Sequence, residues 1–261
     1  MDGLLIDSED MITLSINNLL TKYGRPILTQ SVRAQLMGVP NSSNSDLFHN
    51  WAKLPISREQ FARESAEQMG SDFQSCRPLP GAESLLRNLG RARSASGETI
   101  KLALASSSPS HYYELKTSRS ETKKLLDTFE LDRRILGYDP RVGEGRGKPA
   151  PDIYLVALQA LNSAAGPGEK TIMPNECLVF EDSVAGVKAA RRAGMRVVWV
   201  PHPCVAAEYQ DPWKQKDILA GRSGMFELGD ELQLGDVDDG WAERISSLEE
   251  FNYEAYGIVV L

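Results

Sequence analysis

The sequence has few features that would direct it to a membrane or to a polyanion. No uninterrupted apolar run in its 261 residues approaches the roughly 20 residues of a membrane span. The acidic N-terminus has no basic stretch ahead of an apolar one, so it does not resemble a signal peptide. The formal net charge of −7 argues against nucleic acid or an anionic membrane as the main partner. We therefore expect a cytoplasmic protein with a small-molecule partner.

Cysteine is also scarce. The three cysteines, Cys76, Cys177 and Cys204, are odd in number and far apart, and they form neither a CxxC pair nor a zinc-binding spacing. This usage favours reduced thiols over a disulfide framework. Internal repeats are missing as well, so a repeat architecture is excluded.

The apolar residues, 41% of the chain, follow two different patterns. From Met11 to about Met69 they recur at helical spacing, which predicts a small helical bundle. Further on, short apolar runs at 100–105, 135–137, 177–180 and 195–200 alternate with helical segments. Strands alternating with helices indicate an α/β protein with a doubly wound parallel sheet of Rossmann-like type. The segment from 205 to 240 is rich in Gly and Asp and predicts a surface segment, to which no helix or strand is assigned.

Polar residues follow the predicted strands where ligands bind in open parallel sheets. They are Asp2, Ser106-Ser107, Lys148 and Glu181-Asp182. Each group alone has a purely structural reading, as a turn former, a solvated lysine or an acidic helix cap. Together they provide a fixed positive charge, hydroxyl donors and carboxylates for Mg²⁺, which a phosphate monoester requires. The set therefore predicts a phosphoryl-transfer site.

The order of these segments resembles the haloacid dehalogenase-like (HAD) superfamily of hydrolases. Asp2-Gly3 matches the end of its first motif, Ser106 the second, Lys148-Pro149-Ala150-Pro151-Asp152 the third, and Val179 to Val187 the fourth. Weaker features, such as Leu115-Lys116-Thr117, are similar to the group that contains pseudouridine-5′-phosphatase. The resemblance implies a HAD-like core of residues 1–10 and 80–261 with an inserted helical cap of residues 11–79.

The resemblance also implies roles for individual residues. Asp2 is the general acid-base, and its carbonyl helps to bind Mg²⁺. Ser106, Ser107 and Lys148 bind the phosphoryl group, and Lys148 also steadies the catalytic centre. Asp182 ligates Mg²⁺, with Glu181 beside it. Met37 and Gly38, in the cap, select the substrate.

One residue of the family pattern is not in the sequence. The nucleophilic aspartate would stand one position before Met1, after an apolar strand that is also missing. Two interpretations follow: a truncated phosphatase of a small nucleotide-like or sugar phosphate, inactive as written, or a non-catalytic relative that binds phosphate ligands or a protein. A phosphomutase is a third interpretation, which the sequence does not separate from the first.

Overall fold

Four α-helices occupy the described part of residues 8–72. The structure is a computed structural model that describes residues 1–37, 41–166, 168–222 and 235–261. The helices are α1 (Ser8–Lys22), α2 (Gln30–Leu36), α3 (Asn41–Ala52) and α4 (Arg58–Asp72). They occupy the region in which helical spacing alone was predicted. The assignment of residues 11–79 as a cap domain stays a prediction.

Side-chain caps and a small apolar cluster account for these helices. The Thr29 hydroxyl accepts the Val32 amide at 3.3 Å, and the Ser57 hydroxyl accepts the Gln60 amide at 3.1 Å. Each bond satisfies a backbone donor that the first helical turn leaves free. Leu20, Phe48 and Ala52 are buried together between the helices. This cluster gives the helices a core of their own.

The two chain segments that enter and leave the helical region are tied together. The Asp7 amide donates to the Arg77 carbonyl at 3.0 Å. The Arg77 amide donates to Asp7 Oδ1 at 2.7 Å. These reciprocal hydrogen bonds hold the start of α1 beside the chain that follows α4.

The remaining chain alternates helices and strands. Its helices are α5 (Ala82–Leu89), α6 (Ser110–Lys116), α7 (Ser120–Leu126), α8 (Asp152–Ser163), α9 (Val184–Arg192), α10 (Pro203–Glu208) and α11 (Pro212–Leu219). Its strands are β1 (Arg93–Ser94), β2 (Leu104–Pro109), β3 (Arg134–Gly137), β4 (Leu178–Glu181), β5 (Arg196–Trp199), β6 (Ala242–Arg244) and β7 (Ile258–Val259).

The parallel strands form two separate groups. Strand β2 pairs with β3, whereas β4, β5 and β6 form a three-stranded parallel sheet in that order. Strands β1 and β7 form a small antiparallel pair. Large apolar clusters cover the strands, with Ile6, Leu126 and Val198 in one and Ile135, Val197 and Trp199 in the other. This is the α/β fold with parallel strands that the sequence predicts.

Two details differ from the sequence prediction. The apolar run at 100–105 was expected to be the strand, but β2 begins at Leu104 and continues through the serines to Pro109. Residues 100–103 line a cleft, and no strand is hydrogen-bonded to them in the described ranges. The segment 205–240 was predicted only to lie on the surface, with no helix assigned, and it contains α11 and most of α10. Side-chain caps, such as Asp211 accepting the Trp213 amide at 2.8 Å, start helices there without a long apolar stripe.

A cleft of about 880 Å³ separates the two parallel groups. Backbone and side chains on both sides line it, including Leu104 and Ala105 of β2 and Leu178 and Phe180 of β4. Met1 and Leu85 line it as well. The cleft therefore interrupts the sheet between β2 and β4.

Candidate active site

The N-terminal turn brings the first candidate residue to the carboxyl ends of the strands. The Leu5 amide donates to the Met1 carbonyl at 2.8 Å, and the Gly3 amide donates to the Ile6 carbonyl at 3.0 Å. Gly3 has a φ of +62°, which glycine adopts without strain. A Cβ at this position would lie 2.5 Å from Asp182 Oδ2 and 2.9 Å from the Glu9 Cγ. The turn therefore packs directly against two carboxyl side chains.

This close approach gives a test on folding. We expect Gly3→Ala to lower the free energy of unfolding by about 1–3 kcal/mol from backbone strain and to displace Asp182 as well. Gly24 offers a matched control, because its φ is +65° and nothing lies within 4 Å of an added Cβ. Gly24→Ala carries the strain without the clash. Urea denaturation of both variants measures the difference, and equal losses would contradict the packing described here.

Asp2 makes a dense set of polar contacts. Its Oδ1 accepts the Ser8 hydroxyl at 2.5 Å and the Lys116 ammonium at 2.5 Å. The Ser106 hydroxyl donates to Oδ2 at 3.4 Å. Burial opposes ionisation of Asp2, but the charge of Lys116, the N-terminal ammonium and the hydrogen bonds from Lys116 and Ser8 together hold the pKa of Asp2 below its ordinary value. The carboxylate is therefore fixed in position and ionised in this arrangement.

Lys116 is a cation that sequence reasoning did not place in the site. It is only 3% exposed, donates to the Ser108 hydroxyl at 3.1 Å, and lies 4.3 Å from the centre of the Phe73 ring. The sequence signal was weak, since Leu115-Lys116-Thr117 marked only a subgroup resemblance. No spacing rule connects a lysine at the end of α6 with Asp2.

The Lys148 ammonium is buried among acceptors. It donates to Glu181 Oε1 at 2.5 Å and to the Ala105 carbonyl at 3.3 Å. Lys148 is 8% exposed and Glu181 is 5% exposed, so this is a buried ion pair. Lys148 thus links the backbone near the start of β2 with Glu181 at the carboxyl end of β4.

Further donors occupy the Glu181 carboxylate. The Tyr154 hydroxyl donates to Oε1, and the Ser183 hydroxyl donates to Oε2 at 3.1 Å. Burial raises the pKa of Glu181, but Lys148 and these hydrogen bonds lower it by more, so the net pKa lies below the ordinary value. In this geometry Glu181 positions Lys148. Its role beside a metal stays a prediction.

The serines of β2 differ in their surroundings. Ser106 is 3% exposed, and its oxygen accepts the Ser108 amide at 3.2 Å while its hydroxyl faces Asp2. The Ser107 side chain is exposed. The structure therefore brings Ser106 together with Asp2 and Lys116. Ser106 and Ser107 both remain candidates for phosphate binding.

Other carboxyl side chains lie close to Asp182. The Trp199 indole N–H donates to the Asp182 carbonyl at 2.9 Å, which anchors the backbone. Burial first, and then the neighbouring Glu181 and Glu9 carboxylates, raise the pKa of Asp182 well above its ordinary value. Burial and Asp2 raise the pKa of Glu9 to about 7. Glu9 was not among the predicted site residues, although it lies in the same acidic cluster as Asp7.

The chemistry of this donor set fits Mg²⁺. The described residues contain no cluster of three or more His, Cys, Asp or Glu side chains arranged as a complete metal cage. Mg²⁺ does not require one, because it keeps several waters and binds through one or two carboxylates. A divalent cation would relieve the crowding of like charge that raises the Asp182 pKa. Asp182 and the Asp2 carbonyl are thus suited to hold it.

Of the two predicted substrate-selecting residues, Met37 and Gly38, the structure describes Met37. Met37 is 9% exposed and packs with the second large core cluster, which contains Val205 of α10. Gly38 lies outside the described residues. Beside Met37, Arg33 of α2 lies 3.2 Å from His202 Nε2 and 2.5 Å from Asp10 Oδ1. The helical region therefore contacts the core close to the site.

Helices α1 to α4 thus precede an α/β region in which Asp2, Ser106, Lys148 and Glu181 lie in buried polar contacts near the parallel strands. The chain belongs to the haloacid dehalogenase-like hydrolase family, whose sequence profile matches residues 1–200. The described residues include no helix long and apolar enough to cross a membrane.

Relatives and solved structures agree with this assignment. A Saccharomyces cerevisiae protein described as a probable pseudouridine-5′-phosphatase is 34% identical over 99% of this chain and 94% of its own length. A Drosophila melanogaster protein with the same description is 35% identical over 80% of this chain and 82% of its own. The crystal structure of a HAD hydrolase from Entamoeba histolytica aligns with a TM-score of 0.62 at 20% identity, covering 98% of this chain and 94% of that one. The last match shows the fold alone.

Proposed function

We propose that this chain is the greater part of a Mg²⁺-dependent phosphatase that hydrolyses a small phosphate monoester through an aspartyl-phosphate. The observation that carries the proposal is the meeting of Asp2, Ser106, Lys148 and Asp182 at one edge of the parallel strands. The descriptions of the two relatives as phosphatases support the same reaction class.

In this proposal the nucleophile is an aspartate placed directly ahead of Met1. Met1 is 8% exposed, and its backbone nitrogen interacts electrostatically with Lys148, Asp182 and Glu181. A carboxylate one residue upstream would therefore lie within reach of the Lys148 ammonium and of a cation on Asp182. The chain as written contains no such carboxylate, so we expect it to be inactive by itself.

The proposed reaction has two displacements. The aspartate oxygen bonds to phosphorus as the bond from phosphorus to the ester oxygen breaks, and Asp2 gives a proton to the leaving alcohol. Asp2 then takes a proton from water, whose oxygen bonds to phosphorus and releases the aspartate and inorganic phosphate. Asp2 must therefore gain a proton before the first step, and the substrate's approach has to weaken its pairing with Lys116.

The other site residues bind the phosphoryl group and the cation or position the residues that do so. Lys148 and the Ser106 hydroxyl bind the oxygens of the transferring phosphoryl group. Mg²⁺, held by Asp182 and the Asp2 carbonyl, would neutralise negative charge on those oxygens. Glu181 holds the Lys148 ammonium in place through their ion pair.

The proposed substrate is a nucleotide-like monoester, with a sugar phosphate as the second choice. This choice rests on the description of the relatives as probable pseudouridine-5′-phosphatases. Three free cysteines are typical of a reducing compartment, so we place the enzyme in the cytoplasm.

The test is turnover by a chain carrying an apolar strand and an aspartate ahead of Met1. Pseudouridine 5′-phosphate, other nucleoside 5′-monophosphates and sugar phosphates are the substrates, with Mg²⁺ present and inorganic phosphate as the readout. We expect activity that disappears when the added aspartate is asparagine. Phosphate binding without turnover would support the non-catalytic interpretation, and phosphate migration within a sugar without release would indicate a mutase.

A further inference from the structure

We propose that Tyr138 and Tyr112 form an aromatic platform beside the serines of β2, on which the base of a nucleoside monophosphate stacks. The inference rests on the proposed function for the phosphate end of that ligand. It deepens that function, because it separates the two substrate classes named there through residues outside the helical region. Every nucleobase presents a planar face to such a platform, whereas a sugar phosphate has no aromatic ring.

The first argument is the place of Tyr138 in the chain. Strand β3 ends at Gly137, which lies so close to β2 that a Cβ there would be 2.3 Å from the Ser107 carbonyl oxygen. Ser107 is exposed and is a candidate for phosphate binding. Tyr138 is the next residue after Gly137, and paired strands lie about 4.8 Å apart. Tyr138 therefore follows its strand one strand spacing away from the exposed serine.

The second argument is the conformation of Tyr138. Its φ is +66°, a left-handed conformation that strains a residue with a Cβ, and its side chain is 93% exposed, so packing does not offset the strain. Other residues fix the turn: the Asp139 amide donates to the Leu136 carbonyl at 3.1 Å, and the Arg141 amide donates to Asp139 Oδ1 at 3.0 Å. Glycine or asparagine would fit this position with less strain. An exposed ring held at a strained position indicates a ligand contact.

The third argument is the second ring, which connects Tyr138 to the candidate site. Burial and the neighbouring Tyr138 both raise the pKa of Tyr112, which lies on α6. The Tyr112 ring meets the Phe73 ring edge to face, with 5.2 Å between their centres, and the Lys116 ammonium lies 5.9 Å from the centre of the Tyr112 ring. Lys116 in turn donates to Asp2 Oδ1 at 2.5 Å. The two tyrosines therefore continue outward from Asp2 to the surface.

The chemistry of the ligand follows from the two ends of this arrangement. The inner end carries buried cations and hydroxyls, which suit a phosphate group. The outer end carries aromatic rings, and the exposed His111 ring extends it, since its centre lies 4.1 Å from that of Tyr112. A ligand that matches both ends has a phosphate at one end and a planar ring at the other. Stacking on tyrosine accepts every base, so the platform selects nucleotides as a class.

The experiment measures dissociation constants by NMR titration of the chain as written, with Mg²⁺ present. The probes are uridine 5′-monophosphate, ribose 5-phosphate and uridine. We expect Tyr138→Ala to weaken binding of uridine 5′-monophosphate about 5- to 150-fold, the range that stacking of one base on an aromatic ring contributes. Binding of ribose 5-phosphate should not change. Tyr138→Phe keeps the ring and should bind all three probes as the parent does.

Trp213→Ala is the matched control, because Trp213 is an aromatic residue of α11 that is 75% exposed. It should leave binding of uridine 5′-monophosphate unchanged, and equal losses in Trp213→Ala and Tyr138→Ala would overturn the proposal. Tyr138→Asn tests the alternative that the ring serves folding. Because asparagine tolerates the left-handed conformation, its midpoint of urea denaturation should not fall below that of the parent. A clear fall would assign Tyr138 to the fold and overturn the platform.

Uridine and ribose 5-phosphate separate this inference from the proposed function. Uridine binding that is lost in Tyr138→Ala, with no binding of ribose 5-phosphate to any version, would leave the platform standing and remove the phosphate site. Binding of ribose 5-phosphate, together with binding of uridine 5′-monophosphate that Tyr138→Ala leaves unchanged, would do the opposite. A parent chain that binds neither uridine nor its monophosphate would also overturn the platform.

Discussion

Replacing Lys148 by methionine should lower the free energy of unfolding by about 3–5 kcal/mol, because it leaves the buried Glu181 carboxylate without its cation. Glu181 is 5% exposed and retains only the Tyr154 and Ser183 hydroxyls and the Ser183 amide as donors in the described structure. Urea denaturation of the chain as written measures the change. The effect does not depend on catalysis, so it tests the ion pair by itself.

The double variant Lys148→Met, Glu181→Gln is the control for that result. Since a neutral amide is cheaper to bury than an unpaired carboxylate, we expect it to recover much of the lost stability. Phosphate binding should not recover, because the fixed positive charge is still missing. A double variant no more stable than Lys148→Met would show that lost packing, and not unpaired charge, causes the loss.

Replacing Asp2 by asparagine should lower kcat of the strand-extended chain by about 10²- to 10⁴-fold, the usual contribution of general acid-base catalysis. Asparagine keeps the shape of Asp2, but it cannot carry the transferred proton. KM should change much less than kcat. Steady-state rates of phosphate release measure both constants.

Asp7→Asn is the matched control for Asp2→Asn. Asp7 lies in the same N-terminal turn, but its carboxylate binds the Arg77 amide and not the residues at the strand ends. We expect its kcat to stay within about threefold of the parent, as for a position outside the reacting groups. Equal losses in both variants would mean that folding of the turn, and not proton transfer, is being measured.

Much of the core could be predicted from short apolar runs and the residues that end them. Strand β4 lies within one residue of the apolar run at 177–180 that predicted it. Ser183 caps α9 by accepting the Gly186 amide at 3.0 Å, and Gly194 follows its end with a φ of +74°. These signals depend only on residues next to the helix, so the helix ends can be predicted without knowledge of the fold.

The parts that could not be predicted depend on distant contacts. Lys116 reaches Asp2 across 114 positions of sequence, and Glu9 meets Asp182 only because Gly3 allows the turn to pack closely. Strand β6 was not predicted, because Ala242–Arg244 has no apolar run and forms a strand only by pairing with β5. Strand β2 is shifted toward its serines, where β3 offers a partner. Tertiary pairing decided each of these cases.

The reciprocal hydrogen bonds between Asp7 and Arg77 have a consequence for engineering. They place the entry and the exit of the helical region side by side, so the intervening 69 residues form a closed excursion from the core. Closing such a loop costs free energy that grows only slowly with its length, about 0.6 kcal/mol per doubling. The length of this region is therefore only a weak constraint on the stability of the core. Helical inserts of other lengths could be spliced between Glu9 and Phe73, which keeps Ser8, Glu9 and the Phe73 ring beside Asp2, Asp182 and Lys116.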